Sequence, residues 1–313
     1  MQGLHISFIG TPESYFTKKF LVKLQELCPE QLYYFCIKQK ERKYYSKQPD
    51  AILRFVYFLK GILYYLQEQS SILYWIYYCR LHQIEFQLET DVNGNTIQER
   101  LKNMDFVLTA GISSKFKNLT LNASKCGIIN FHYSLLPKFR GTHPVFWQLI
   151  SGDPIFGYSF HLMNTQMDAG DILLQKEVPI NSKGNVSSIC NQLILHASNQ
   201  LFVLIAGTKE RIVQDSKGIS SHSEHDFMNY IRIQFSDPVS EWKAKCNYSP
   251  FLILNDQLVV RMKSYDGLTE SFPKLKIKRL GFVLVKDGFG FFIEKVNYLP
   301  AIFYYFQLKK LFD

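Results

Sequence analysis

Three side chains in this 313-residue sequence have the types and spacing for acyl-transfer chemistry: Asn130, His132 and Asp168. Asn130 and His132 stand at i and i+2 at the end of an apolar, β-prone run, so both side chains leave the strand on one side. Asp168 follows in a second, glycine-bearing loop, Asp168-Ala169-Gly170-Asp171. An amide can donate to a developing oxyanion, an imidazole can move a proton near neutral pH, and a carboxylate can orient or charge that imidazole. No serine or cysteine sits in a G-x-S-x-G elbow, so a covalent acyl-enzyme is not expected. Taken singly, each residue has an ordinary reading: Asn130 and Asp171 as caps, Asp168 as a turn aspartate. His5, His82, His196, His222 and His225 read as solvent or core positions. His143 and His161 lie near the site in sequence, but nothing there assigns them a role.

The elements that must position these residues alternate between strand and helix. Apolar strand candidates occur at His5–Ile9, Leu32–Ile37, Glu85–Leu88, Phe106–Thr109 and Gly127–Phe131. Helical spacing occupies Phe16–Leu27, Thr96–Met104 and Ser113–Leu121. That rhythm predicts an α/β domain with a doubly wound, mostly parallel sheet. Ligands in such sheets collect beyond the carboxyl ends of the strands, here the loops after Ile9, Thr109 and Phe131. The stretch Ala51–Cys79 interrupts the rhythm with one or two helices dense in Leu, Ile, Phe and Tyr, read as a helical hairpin on the domain. Arg54, Lys60 and Glu68 break it, so its uncharged run is shorter than the ~18 residues a spanning helix needs. Membrane contact through 51–79 is the less favoured alternative.

Asn185–Ile205 reads as one long amphipathic helix, and the polar stretch that follows, rich in serine and glycine, reads as a linker. Beyond it, short strands with turns at Asn255-Asp256 and Asp287-Gly288 predict a small β-rich domain. The expected organisation is 1–205 for the first domain, with its helical aromatic insertion at about 50–80, then 206–225 as linker and 226–313 as the β-rich domain. A hydrophobic fraction of 47% and an aromatic fraction of 15% exclude disorder, collagen and a disulfide miniprotein. The net charge of +9, spread over both parts, favours a polyanionic partner, a phosphorylated substrate or an acidic surface. Six widely spaced cysteines give no zinc pattern, so no metal is expected, and a reducing compartment suits them. The first residues enter a strand pattern without a basic leader, so a cytoplasmic location is expected.

At the candidate residues the chain resembles the folate-dependent formyltransferase family, and within it most of all the methionyl-tRNA formyltransferases. Three motifs carry the resemblance: Phe8-Ile9-Gly10-Thr11-Pro12, the run Asn130-x-His132-x-Ser134-Leu135-Leu136-Pro137 with Arg140-Gly141 just after, and Asp168-x-Gly170-Asp171-Ile172. All three stand in the family's order, which makes them more specific together than alone. The resemblance is clear over residues 4–205. It continues faintly at Asn247-Tyr248-Ser249-Pro250 and Gly281-Phe282-Val283-Leu284, which resemble the family's OB-like C-terminal domain.

The resemblance implies a catalytic trio of Asn130, His132 and Asp168. It also implies a folate site formed by Ser134, Leu135, Leu136 and Pro137 together with the backbone of Ala110, Gly111, Ile112 and Ser113. The implied donor is 10-formyltetrahydrofolate, and the implied acceptor is a primary amine. Methionyl-tRNA formyltransferases carry a basic loop soon after the second strand. Here that place holds Lys38–Asp50, with Lys38, Lys40, Arg42, Lys43 and Lys47, followed by the aromatic insertion. After Arg140-Gly141 the bulky pair Phe146-Trp147 looks closer to members that act on small amines. Initiator tRNA is therefore the narrowly favoured acceptor. A nucleotide amino sugar is the alternative, and a non-catalytic binding protein that kept the fold is the second alternative.

Overall fold

Short strands rich in apolar and β-branched residues build the first sheet of the computed structural model. It describes residues 3–28, 31–38, 51–180, 186–207, 210–234 and 236–248, and the strand residues 252–254, 258–265, 276–278, 281–286, 289–296 and 299–300. The chain divides into two units. The first comprises Met1–Arg140, Ile155–Ile180 and Cys190–Ser220. Its sheet contains β1 (Ile6–Gly10), β2 (Leu32–Ile37), β3 (Glu85–Glu89), β4 (Phe106–Thr109) and β5 (Ile129–His132), followed after the short β6 (Arg140–Gly141) by β7 (Gly157–Leu162) and β8 (Ile172–Glu177). The strand order is β3-β2-β1-β4-β5-β7-β8. The first five strands pair in parallel, whereas β7 and β8 run antiparallel at one edge.

Both faces of the sheet are covered, which explains why β1 and β4 are buried along their whole length. On one face, α1 (Tyr15–Leu27) sends Phe20 against Phe8, Phe131 and Phe160 at centroid distances of 5.1–6.4 Å. The helix α2 (Ala51–Leu81) packs beside it, with Trp75 edge-on to Tyr34 at 5.7 Å and its indole N–H donating to the Pro12 carbonyl at 2.8 Å. On the other face, α3 (Asn95–Leu101) and α4 (Asn118–Leu121) close a core of Ile9, Phe35, Ile37, Val107, Ile97 and Leu101. The α/β, doubly wound, mostly parallel architecture expected from the strand–helix rhythm is the one observed.

Several local expectations shift. Residues 51–81 form one continuous helix rather than a hairpin. The helix expected over Ser113–Leu121 shrinks to α4, because the Asn93 side chain holds the preceding backbone in a loop. It donates to the Lys115 carbonyl at 2.9 Å and accepts from the Lys117 N–H at 2.7 Å. The long helix at 185–205 is interrupted between α6 (Val186–Asn199) and α7 (Leu201–Ile205). There the Ser198 hydroxyl donates to the Leu195 carbonyl at 2.8 Å, a bond of the kind that bends helices. In the stretch read as linker, Ile212 bridges to Ile172 on β8, and its backbone exchanges two 2.9 Å hydrogen bonds there.

The second unit comprises Gly141–Pro154, Asn181–Ile189 and Ser221–Asp313. It holds α5 (Pro144–Ser151), β9 (Ser221–His222), α8 (Glu224–Tyr230), β10 (Arg232–Ile233), α9 (Val239–Tyr248), β11 (Leu252–Leu254), β12 (Leu258–Tyr265), β13 (Lys276–Lys278), β14 (Gly281–Lys286), β15 (Phe289–Val296) and β16 (Leu299–Pro300). Strands β10 to β16 make a mostly antiparallel sheet, β10-β11-β12-β15-β14-β13, with β16 added to β15. A smaller β-rich C-terminal part is therefore present, as expected. Phe146, only 1% exposed, packs against Phe227 and Tyr230, and Trp147 stacks on His222 at 4.2 Å. The basic residues Lys40, Arg42, Lys43 and Lys47, the turns at Asn255-Asp256 and Asp287-Gly288, and Ser249-Pro250 lie outside the described residues.

Candidate active site

Strand β5 ends at His132, two residues after Asn130, so both side chains leave the sheet at its carboxyl edge. The antiparallel register of β5 and β7 sets His161 directly opposite Asn130 and Ser159 directly opposite His132. Asp168 arrives from the turn between β7 and β8, with its backbone left-handed at φ 50°. The three residues singled out in the sequence thus meet. The His132 Nδ1 lies 3.5 Å from Asp168 Oδ2, and the Asn130 side-chain amide donates to Asp168 Oδ1 at 3.4 Å.

His161 is a fourth member that the sequence alone did not assign. Its Nδ1 faces the Leu162 carbonyl at 2.9 Å, so that nitrogen carries the proton, because a carbonyl can only accept. With a proton on Nδ1, Nε2, which lies 3.4 Å from Asp168 Oδ1, can accept from the Asn130 amide at 3.2 Å. This contact dictates which end of the Asn130 amide is the NH2. A usable signal was the alternation of polar residues inside β7, where Ser159 and His161 are both buried in an otherwise apolar strand.

The same logic fixes His132. Its Nε2 lies 2.8 Å from the Phe139 carbonyl and must be the protonated nitrogen, leaving Nδ1 to face Asp168. Burial pulls the His132 pKa below its ordinary value. The Asp168 charge and the Phe139 carbonyl pull it upward, and the neighbouring His161 adds to the lowering. The result is a neutral imidazole at pH 7 whose bare nitrogen points at a carboxylate. That arrangement is repulsive until a proton arrives at Nδ1, when it becomes an ion pair.

Two clamps hold this geometry. The Ser159 hydroxyl donates to the Ser134 carbonyl at 2.7 Å and accepts from the Leu136 N–H at 3.1 Å, while Gln175 donates to the Leu136 carbonyl at 2.9 Å. This pins the loop Ser134–Pro137, whose Leu136–Pro137 peptide is cis. On the other side, Arg140 donates twice to the Gln214 side-chain oxygen, and the Gln214 amide donates to the carbonyls of Asp168 and Gly170 at 2.9 and 2.7 Å. Gln214 comes from the stretch read as linker, and it fastens the aspartate loop. Glycine is required at 170 because a Cβ there would collide with the Leu162 carbonyl.

Of the other candidate residues, Ala110, Gly111, Ile112 and Ser113 follow β4, the strand paired with β5. Ala110 is fully buried, and Gly111 is left-handed at φ 68° with the Phe16 ring where a side chain would stand. Ser134 and Leu136 are buried, so what that loop can offer from these two residues is mainly backbone. Among the described residues no group of three or more His, Cys, Asp or Glu could hold a metal ion, and no helix is long and apolar enough to cross a membrane.

Residues 86–205 match the family model described as formyl transferase. The chain is 31% identical over 135 residues to a methionyl-tRNA formyltransferase of Anaplasma phagocytophilum, covering 42% of this chain and 44% of that protein. It is 36% identical over 107 residues to the Clostridium perfringens methionyl-tRNA formyltransferase, covering 34% of each. The chain therefore spans less than half the length of these curated relatives. In fold it is similar to an N-formyltransferase from Helicobacter canadensis, crystallised in complex with folinic acid and dTDP-3-aminofucose. The TM-score is 0.58 at 15% identity, covering 93% of this chain and 98% of that one. The segment that matches the formyl transferase model, residues 86–205, contains Asn130, His132, His161 and Asp168 together.

Proposed function

We propose that the chain is an N-formyltransferase that passes a formyl group from 10-formyltetrahydrofolate to a primary amine. The observation that carries this reading is the meeting of Asn130, His132 and Asp168 at the carboxyl edge of the sheet, inside the family-matched segment. In this reading 1–205 is the catalytic domain, 206–225 the connection and 226–313 an OB-like domain that adds basic surface. The loops Ala110–Ser113 and Ser134–Pro137 follow the paired strands β4 and β5 at their carboxyl ends, where ligands of such sheets bind. In this reading these two loops would hold the donor's pterin, mainly through backbone groups. The bound donor supplies an activated formyl carbon.

The protein's own residues do the rest. His132 Nδ1, bare and neutral at pH 7, takes a proton from the incoming amine. Asp168, 3.5 Å away, stabilises the imidazolium so formed, and the same nitrogen then returns the proton to the departing side. The Asn130 amide reaches the formyl oxygen by giving up its long 3.4 Å contact with Asp168, while the bond to His161 keeps its orientation.

The favoured acceptor is the methionyl amine of initiator tRNA. Support comes from the relatives at 31% and 36% identity and from the net charge of +9. The second reading is a nucleotide amino sugar, for which the aromatic α2 insertion speaks, together with the fold shared with the Helicobacter protein. Phe146-Trp147 no longer argues for it, because packing within the second unit absorbs both rings.

The test is formyl transfer from the same donor to charged initiator tRNA and, separately, to an amino-sugar nucleotide. With tRNA the acceptor KM should climb steeply with salt, since several phosphates are neutralised. Reversing the charges of Lys40, Arg42 and Lys43 should raise that KM and leave the donor KM alone. Lys38 is kept, because it pairs with buried Glu68 at 3.2 Å and its reversal would strand that carboxylate. Transfer to the sugar alone, with a flat salt response, overturns the tRNA reading.

A further inference from the structure

The helix α2 carries apolar residues on both its buried and its exposed faces. Its face toward the sheet carries Glu68, Ile72, Trp75 and Cys79, all buried. Its opposite face exposes Ile62 (40%), Leu66 (55%), Leu73 (65%), Tyr77 (67%) and Leu81 (63%), with exposed Ser70 between Leu66 and Leu73. Between Ile62 and Cys79 the only charged residue is Glu68, which faces inward onto Lys38. A surface helix ordinarily shows water its charged side, and an exposed apolar stripe of this extent marks an interaction surface.

The stripe is also palindromic. Positions 62, 66, 70, 73, 77 and 81 step by four, four, three, four and four, which reads identically from either end. A second copy laid antiparallel, about a two-fold axis crossing the helix between Ser71 and Ile72, sets Ile62 against Leu81, Leu66 against Tyr77 and Ser70 against Leu73. Such a contact is isologous, as a two-fold dimer requires. The small Ser70 near the axis lets the helices approach and interdigitate their ridges. With Tyr65, Tyr74 and Ile76 flanking the stripe, the apolar area available is on the order of 800 Å² per subunit, the size of a standard stable interface. A helix lying on a membrane would carry Lys and Arg along its polar flank. Here the polar residues beside the stripe are Gln67, Gln69 and Ser71, and Arg80 is the sole cation from Ile62 to Leu81.

We propose that the chain forms a homodimer through the outward face of α2, paired antiparallel with its copy. The full-length protein should sediment as a dimer at micromolar concentration. Leu66→Glu combined with Tyr77→Glu places like charges face to face across the axis and should weaken association by at least ~100-fold, with an unchanged far-UV spectrum. Independently, Ser70→Cys with Leu73→Cys should give a covalent dimer on oxidation that the parent protein does not give. A parent that stays monomeric overturns the proposal. So does a dimer that the glutamate pair leaves intact, failure of the cysteine pair to cross-link, or a parent monomer that binds vesicles of anionic lipid through this face.

Discussion

Replacing Asp168 by Asn isolates the electrostatic part of the mechanism, because the amide keeps the shape and an oxygen for Asn130 while removing the charge. The carboxylate oxygen stands 3.5 Å from His132 Nδ1 in a buried setting. At an effective dielectric of about 20, a unit charge at that distance is worth about 4–5 kcal/mol to a fully formed imidazolium. The charge is only partly developed in the transition state, and the amide dipole recovers some of it. About 2–4 kcal/mol remains, or roughly 30- to 1000-fold in kcat. The pH profile adds a second, signed outcome. Asp168 pulls the His132 pKa up against burial, so its loss lets that pKa fall further. The acid limb of kcat/KM should therefore move to lower pH even as turnover drops. The assay follows tetrahydrofolate release with whichever acceptor the parent formylates. Turnover within ~3-fold of the parent, with the acid limb unmoved, would refute the pairing of His132 and Asp168.

His132→Ala and Asn130→Ala should each lower kcat by about 10²- to 10⁴-fold while donor affinity changes only a few-fold, measured by turnover and by donor titration. His161→Ala frees the Asn130 amide to rotate and should cost about 10- to 100-fold in kcat with little change in either KM. A matching loss in thermal stability large enough to account for the drop would assign His161 to packing instead. The His132 pKa is lowered in the fold, so below its unfolded value of about 6.5 the unfolded chain binds more protons. The parent should therefore lose more stability between neutral and mildly acid pH than His132→Gln, as read by denaturant unfolding across that range.

Much of the site was legible because its parts are local. The i, i+2 spacing of Asn130 and His132 at the end of a β-prone run fixes their common side, since strand side chains alternate with period two. Polarity and glycine marked the Asp168 loop, and mostly apolar strands such as Ile6–Gly10 announced a sheet covered on both faces. The partners of these residues were not legible, because they depend on which strands become neighbours. His161 faces Asn130 only because β7 turns back antiparallel beside β5, a pairing that composition cannot encode. Gln214 clamps the Asp168 loop across 46 positions of sequence, from a stretch whose serine and glycine content reads as linker. Phe146-Trp147 resembled members that act on small amines, whereas in the fold both rings pack against Phe227, Tyr230 and His222. The sequence alone determined which groups can carry the chemistry and on which side of a strand they lie, because both follow from residue type and backbone period. Only the tertiary structure decided their tautomers, the orientation of the Asn130 amide and the direction of the His132 pKa shift. Those depend on burial and on atoms a few ångströms away that belong to distant parts of the chain.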